Sequence, residues 1–125
     1  MKSIRFIIGR LILLLDFLTR PSPVSRSHED QDRVDAATSH FSLYQFNACP
    51  FCVKVRRHMR RRSLKIKLRD AKSNIEIKNE LIKEGGRHKV PCLRIEIGDE
   101  EIKWLYSSDK ICAFLDDQLN KLKVV

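Results

Sequence analysis

The sequence predicts an α/β domain in which a mixed four-stranded sheet is sandwiched by helices, in the order βαβαββα. Three observations carry this prediction: four short β-prone segments, amphipathic helical segments between them, and a Gly98-Asp99 hairpin signal late in the chain. A strand–helix–strand unit brings two strands parallel by a crossover, and a hairpin adds antiparallel strands. Together they indicate helices packed on a mixed sheet.

The first half of this domain is read from burial and alternation. Residues 40–46 are aromatic and uncharged, which suits a buried strand. A helix is predicted from Pro50 to about residue 62, because proline is well tolerated at the first helical position. Residues 64–69 then alternate between apolar and basic side chains and form the second predicted strand.

The second half follows from caps and turns. Residues 73–76 fit a capping box that begins a helix, and Gly85-Gly86 would end it. Strands are predicted over residues 93–97 and 102–105, on either side of the hairpin turn. Ser107 or Ser108 can cap a last helix with a continuous apolar face. That face consists of Ile111, Phe114, Leu115, Leu119 and Leu122.

The 125 residues leave room for one domain and an appendage. We assign residues 1–20 to an N-terminal amphipathic helix and residues 40–125 to the α/β domain. Residues 21–39 contain two prolines, serines and alternating charges, and we interpret them as a polar linker with a short helix near residues 31–38.

The N-terminal helix is apolar but interrupted. Residues 4–18 are too short and too broken by charges to span a bilayer. A narrow polar arc opposes an apolar face, as in a helix that lies in a membrane interface with its basic groups toward the headgroups. Packing on the domain itself or on a partner chain is the alternative. No small-residue cleavage site follows, which argues against a removable secretory signal. The arc comprises Lys2, Arg5, Gly9, Asp16 and Arg20.

The formal net charge of +9 is concentrated in residues 54–69. Such a run attracts anions such as nucleic acid, anionic lipid or an acidic small molecule, but a solvated helix face explains it equally well. No nucleic-acid motif accompanies the charge, so we expect no nucleic-acid partner. The four cysteines do not form a disulfide framework, which favours a reducing compartment and a cytoplasmic location, with residues 1–20 on the inner face of a membrane.

The motif Cys49-Pro50-Phe51-Cys52 lies between a predicted strand and a predicted helix. Cys49 would occupy the helix N-cap, where unpaired N–H groups and the helix dipole stabilise a thiolate. Cys52 would lie one turn further along, close enough to attack a mixed disulfide on Cys49. The pattern therefore predicts thiol–disulfide exchange, with Cys49 as nucleophile and Cys52 as resolving thiol.

Two other interpretations of the motif are weaker. A zinc site needs two further ligands, and neither a second Cys-x-x-Cys nor histidines at ligand spacing are present. A static structural disulfide would not need a buried strand before it and a helix after it. We expect no metal.

Residues 41–118 resemble the glutaredoxin family, within the thioredoxin-like fold. The resemblance rests on three separated pieces in the right order: the Cys49–Cys52 motif, Val90-Pro91, and Ser108-Asp109 before the last helix. It implies a glutathione-dependent oxidoreductase that reduces protein disulfides or glutathione mixed disulfides, with glutathione as co-substrate. Tyr106-Ser107-Ser108 also resembles the N-terminal domain of glutathione transferases, which share this fold.

The resemblance also implies roles for individual residues. Val90 would pair its backbone with the cysteinyl unit of glutathione, and a cis Pro91 would shape the groove beside Cys49. Ser108 and Asp109 would bind the γ-glutamyl end, which agrees with the preference of helix N-termini for carboxylates. Pro50 and Pro91 support the two cysteines.

The sequence departs from the family at two positions. Many members carry lysine three residues before the first cysteine, where this chain has Phe46, and Ser107 stands where glycine is frequent. Arg57, Arg87 or Lys89 could supply the missing cation. Two alternatives stay open: a glutathione-ligated [2Fe–2S] carrier, which the proline and second cysteine of the motif disfavour, and a thioredoxin-like reductase that does not use glutathione.

Overall fold

The structure is a computed structural model that describes residues 2–125. Met1 and the side chain of Lys2, which the predicted polar arc includes, lie outside the described residues. The helices are α1 (Lys2–Leu18), α2 (His28–Thr38), α3 (Pro50–Arg61), α4 (Ile75–Gly85) and α5 (Ser108–Leu122). The strands are β1 (Phe41–Gln45), β2 (Lys67–Asp70), β3 (Cys92–Ile97) and β4 (Glu101–Tyr106).

The four strands form one mixed sheet in the order β2-β1-β3-β4. β1 and β2 are parallel and are joined by α3 as the crossover, whereas β3 is antiparallel to both β1 and β4. From β1 onward the element order is βαβαββα, so the predicted fold class is confirmed. α3 and α5 pack against each other, and the His58 ring meets the Asp116 carboxylate at 2.8 Å between them.

Two predicted element boundaries are shifted, each for a physical reason. β2 begins at Lys67 rather than at residue 64, because Leu64 and Ile66 bury their side chains before strand pairing starts. The N-cap of α4 is Asn74 rather than the first residue of the predicted capping box. Its carboxamide oxygen accepts hydrogen bonds from the N–H groups of Glu76 and Ile77, which leaves Ser73 outside the helix.

Half of the segment predicted as a linker is a packed part of the domain. α2 begins three residues before the suggested start of its helix, with Ser27 as the N-cap. Val34 of α2 is fully buried in the main core cluster, together with Leu43, Leu93 and Leu115 of the domain. A helix of mostly polar residues is hard to recognise in the sequence, because a single buried valine leaves no periodic pattern.

The residues between α1 and α2 are also attached to the domain. The Val24 N–H donates to the Arg61 carbonyl oxygen over 3.0 Å, and the Ser63 hydroxyl donates to the Val24 carbonyl oxygen over 2.6 Å. The Arg26 guanidinium donates twice to the C-terminal residue Val125. These bonds hold an extended segment along the end of α3.

α1 lies against α3 through its polar arc, while its apolar face points away from the domain. Gly9 packs closely on Ala48, and Asp16 forms an ion pair of 3.0 Å with Arg57 of α3. None of the helices in residues 2–125 has the length and apolarity that a bilayer crossing requires. Six outward-facing side chains are between 51% and 66% exposed: Ile4, Ile7, Leu11, Leu14, Leu15 and Leu18. We call this set the apolar stripe.

Candidate active site

The sheet register brings the three predicted pieces of the site to one end of the molecule. Tyr44 near the end of β1 pairs with Cys92 at the start of β3, and Cys92 also pairs with Tyr106 at the end of β4. Residues 46–49 connect β1 to α3, and we call them the Cys49 loop. This loop therefore leaves β1 beside the residues that precede β3. Ser108 follows β4 at the same end.

Cys49 is the N-cap residue of α3, as the sequence predicted. Its backbone is extended (φ −74°, ψ 127°), its carbonyl oxygen accepts the first helical bond from the Val53 N–H at 2.9 Å, and Pro50 follows in the first turn. Cys49 is half-buried and so retains contact with solvent. A helix N-terminus presents unpaired N–H groups and the positive end of the helix dipole, so Cys49 lies at the positive end of α3.

Cys52 lies behind Cys49, one turn into α3, and is fully buried. Its sulfur accepts a hydrogen bond from the Phe46 N–H at 3.4 Å. Burial, together with the neighbouring Cys49, raises the pKa of the Cys52 thiol to about 12. Both cysteines are free thiols. Only Cys49 can therefore meet an incoming disulfide, and Cys52 is placed to attack afterwards.

The predicted glutathione-binding residues border the same end of the sheet. The Val90–Pro91 peptide bond is cis, as the resemblance implied, and Pro91 is buried directly before β3. Ser108 is buried in the first turn of α5, whereas the Asp109 side chain is 80% exposed. The Asp109 carboxylate accepts a hydrogen bond from the Lys54 ammonium of α3, so a cation already faces the carboxylate.

Neither of the two expected caps is made: Ser107 forms no capping bond with its side chain, and Ser108 is already the first residue of α5. Ser107 occupies the N-cap position with a φ of 78°, a region that L-residues other than glycine rarely adopt, and its hydroxyl makes no capping bond. This geometry explains why glycine suits the position in the family that the sequence resembles.

Arg56 is a site residue that the sequence analysis missed. Its guanidinium donates to the Gln45 side chain, to the Phe46 carbonyl oxygen at 3.4 Å and to the Asn47 carbonyl oxygen at 2.6 Å. It thereby holds the loop that leads from β1 to Cys49. Nothing in the sequence separates Arg56 from the other arginines of the basic run, since the contact depends on which side of α3 faces the loop.

The three cations considered as substitutes for the missing lysine lie in different surroundings. Arg57 is engaged with Asp16 and Thr19 of the N-terminal segment, and Arg87 lies over the Tyr106 ring at 5.6 Å. Lys89 is exposed, and it has no ion pair within the described residues. Arg5 of α1 and Lys72 instead line a cavity together with Phe46 and Cys49.

The other two cysteines lie apart from this chemistry. Cys92 is fully buried against Tyr44 and Leu81, and burial raises the pKa of its thiol to about 11. Cys112 is half-buried between α3 and α5 rather than fully buried as its apolar position suggested. Within residues 2–125, no cluster of three or more His, Cys, Asp or Glu side chains could hold a metal ion.

Comparison with known proteins identifies the family. A model of the family described as Glutaredoxin matches residues 41–102, which run from the start of β1 into β4 and include the Cys49 loop and cis-Pro91. The chain belongs to the glutaredoxin family. Glutaredoxins are thiol–disulfide oxidoreductases that act with glutathione. A comparison with curated proteins finds no relative.

A solved structure supports the glutaredoxin fold independently. The crystal structure of oxidised glutaredoxin 2 from Chlamydomonas reinhardtii superposes with a TM-score of 0.50 at 20% sequence identity. The match covers 78% of this chain and 96% of that one. At this identity the likeness concerns the fold, which is the thioredoxin-like arrangement that the resemblance implied.

Proposed function

We propose that this glutaredoxin reduces protein disulfides and glutathione mixed disulfides through Cys49 and Cys52, with glutathione as the electron donor. The observation that carries the proposal is the division between the two sulfurs. Cys49 is accessible at the N-terminus of α3, and Cys52 is buried one turn behind it with a raised pKa. A pair with one exposed nucleophile and one protected resolving thiol suits sequential exchange.

In the dithiol reaction the Cys49 thiolate attacks one sulfur of a substrate disulfide and forms a mixed disulfide. The substrate's other sulfur leaves as a thiolate and takes up a proton. Cys52 then loses its proton and attacks the Cys49 sulfur, which forms the Cys49–Cys52 disulfide and releases the second substrate thiol. Two glutathione molecules reduce this disulfide and become glutathione disulfide, so each substrate disulfide consumes two electrons.

With a glutathionylated substrate, Cys49 alone is sufficient. Cys49 accepts the glutathionyl group and releases the substrate thiol. A free glutathione thiolate then attacks the glutathionyl sulfur, which forms glutathione disulfide and releases the Cys49 thiolate. We propose that Val90 pairs its backbone with the bound tripeptide, and that cis-Pro91 forms one wall of the glutathione-binding groove. Ser108 and Asp109 would receive the γ-glutamyl end, with Asp109 exchanging Lys54 for the ligand's ammonium group.

The test is turnover of a small glutathione mixed disulfide by the full-length protein, coupled to glutathione and glutathione reductase. Wild type is compared with Cys49→Ser, Cys52→Ser and the control Cys112→Ser, which alters a thiol that none of the proposed exchange steps uses. We expect Cys49→Ser to abolish turnover, Cys52→Ser to retain deglutathionylation but to lose reduction of a protein disulfide, and Cys112→Ser to behave as wild type.

Two results would contradict the proposal in different ways. Full activity in Cys49→Ser would remove Cys49 as the nucleophile. Wild-type protein could instead be inactive with glutathione while Cys49 is alkylated rapidly at neutral pH. Cys49 would then be a reactive nucleophile that uses another electron donor. A thioredoxin-type reductase supplied in place of glutathione would then be the next assay.

We also propose a cytoplasmic location at an anionic membrane surface. The apolar stripe of α1 is exposed, and Arg10 on its flank together with the positive charge of the chain complements anionic headgroups. Leu11→Gln combined with Leu14→Gln should abolish sedimentation of the protein with phosphatidylserine vesicles. Unchanged sedimentation of this variant, or sedimentation that does not depend on anionic lipid, would contradict the proposal.

A further inference from the structure

A groove runs from Cys49 along the side of α1, and α1 is a helix outside the residues that match the family. It consists of two cavities of about 260 and 560 Å³, which share Arg5, Gly9, Ala48 and Lys72. We call the pair the α1 groove. Cys49 lines one end, and Arg10 lines the other. A chain joined to the Cys49 sulfur can therefore continue directly into this space.

The charge of the α1 groove is of one sign. Arg5, Arg10 and Lys72 line it, and no carboxylate does. Among the described residues, none of these three cations has an acidic side chain within 4 Å. The nearby Asp70 carboxylate is occupied by the N–H groups of Lys72 and Ser73.

The remaining lining of the α1 groove is apolar. Side chains of α1 form one wall. Phe46 of the Cys49 loop and Pro50 at the start of α3 form the other wall, beside Cys49. None of the residues assigned to glutathione lines either cavity. The lining of this groove is therefore separate from the residues proposed for glutathione, and it is cationic and partly apolar.

The groove depends on the position of α1, which is fixed close to the Cys49 loop. Gly9 makes the approach possible, because an added Cβ there would lie 3.1 Å from the Ala48 Cβ. The Asp16–Arg57 ion pair holds the other end of the helix. α1 is thus a wall of the active site and not a detached anchor.

We propose that the α1 groove binds the segment of a protein substrate that flanks its reactive cysteine, and that it selects segments bearing acidic side chains. The charge complementarity and the position beside Cys49 favour an acidic peptide, and free glutathione is proposed above to bind other residues. The inference rests on the proposed function for the exchange step, since the substrate cysteine forms its mixed disulfide with Cys49. The binding itself can be measured without that step.

The probe is a short fluorescent peptide with an S-methylcysteine flanked by glutamate and leucine, and its matched partner has glutamine in place of glutamate. Binding to the full-length protein is followed by fluorescence anisotropy, so no redox turnover is needed. We expect the glutamate peptide to bind about tenfold more tightly at low salt and to lose this advantage as salt screens the charges. Arg10→Gln combined with Lys72→Gln should remove it, whereas Lys103→Gln on β4 should not.

Three outcomes would overturn the proposal: equal affinity for the two peptides, displacement of the glutamate peptide by S-methylglutathione, and a double variant that loses binding to phosphatidylserine vesicles while keeping peptide affinity. The second would assign the groove to glutathione, and the third would assign its cations to lipid. If wild-type protein fails the turnover assay but still discriminates between the two peptides, the proposed function is wrong. The assignment of the α1 groove to acidic peptides is then retained.

Discussion

Arg57→Gln tests whether α1 is docked on the domain by a specific contact. The Arg57 guanidinium donates to the Asp16 carboxylate at 3.0 Å, to the Thr19 hydroxyl at 3.1 Å and to the Thr19 carbonyl oxygen at 2.8 Å. The Asp16 side chain is only 12% exposed, so removal of the guanidinium leaves a nearly buried carboxylate without its cation. Hydrogen bonds to charged groups contribute about 1.5–3 kcal/mol each, but glutamine retains part of this set. We therefore expect docking to weaken by about 2 kcal/mol.

The assay is amide hydrogen exchange, because it reports local opening separately from global unfolding. A loss of about 2 kcal/mol corresponds to about 30-fold faster exchange in α1. A helix of this length is only marginally stable in isolation, so undocked α1 loses its protection. Exchange of β1 and β3 should not change. The matched control is Arg61→Gln on the same helix, since the Arg61 side chain has no hydrogen-bond or ion-pair partner within residues 2–125.

Asp16→Asn provides the reciprocal change and a test of coupling. If Asp16 and Arg57 act as one contact, the double variant should exchange no faster than either single variant. The reasoning is refuted if α1 protection is unchanged in Arg57→Gln, or if Arg61→Gln raises exchange to the same extent. Undocking should also abolish discrimination between the glutamate and glutamine peptides, because the α1 groove loses one wall.

Three further predictions concern stability and are measured by urea unfolding. Val34→Ala should lower the free energy of unfolding by about 2 kcal/mol, because it opens a cavity where α2 packs into the core. A negligible loss would mean that α2 does not stabilise the domain and belongs to the linker. Ser107→Gly should stabilise by about 1 kcal/mol, since φ there is 78°; destabilisation would mean that the serine side chain matters. The folded state raises the pKa of Cys52 to about 12 and that of Cys92 to about 11, above the ordinary 9.0. The contribution of these two thiols to stability should therefore be constant below pH 9 and fall above it, because the unfolded chain releases these protons first. Cys92→Ala should reduce the slope above pH 9, and an unaltered slope would contradict the assignment.

The sequence predicted the fold because its local signals agree with one another. Proline after Cys49 marks the start of α3, and the glycine pair marks the end of α4, where Gly86 adopts a φ of 84°. The uncharged aromatic run located β1, and the hairpin signal located β3 and β4, each to within one residue at either end. Where two signals competed, as at Ser73 and Asn74, the sequence could not decide which side chain reaches the helix N–H groups.

The two cysteines could be predicted in the same way, because their relation is local. Four consecutive residues and one helix terminus determine that Cys49 precedes α3 and that Cys52 lies one turn inside it. The roles of Arg56 and Lys54 could not be predicted. Both roles depend on which faces of α3 meet the Cys49 loop and α5. The basic run is too uniform for its periodicity to show which of its residues lie on those faces.

The position of α1 shows the limit of an amphipathic pattern. The pattern correctly separates an apolar face from a polar arc, but it carries no information about which face meets the domain. An apolar face is the usual choice for packing, yet here Gly9 and Asp16 of the polar arc make the contact. A small residue permits close approach and an ion pair fixes the register, so a polar arc can dock while an apolar stripe stays exposed. The same choice places Arg5 and Arg10 along the groove that ends at Cys49, and it makes the N-terminal helix part of the active site.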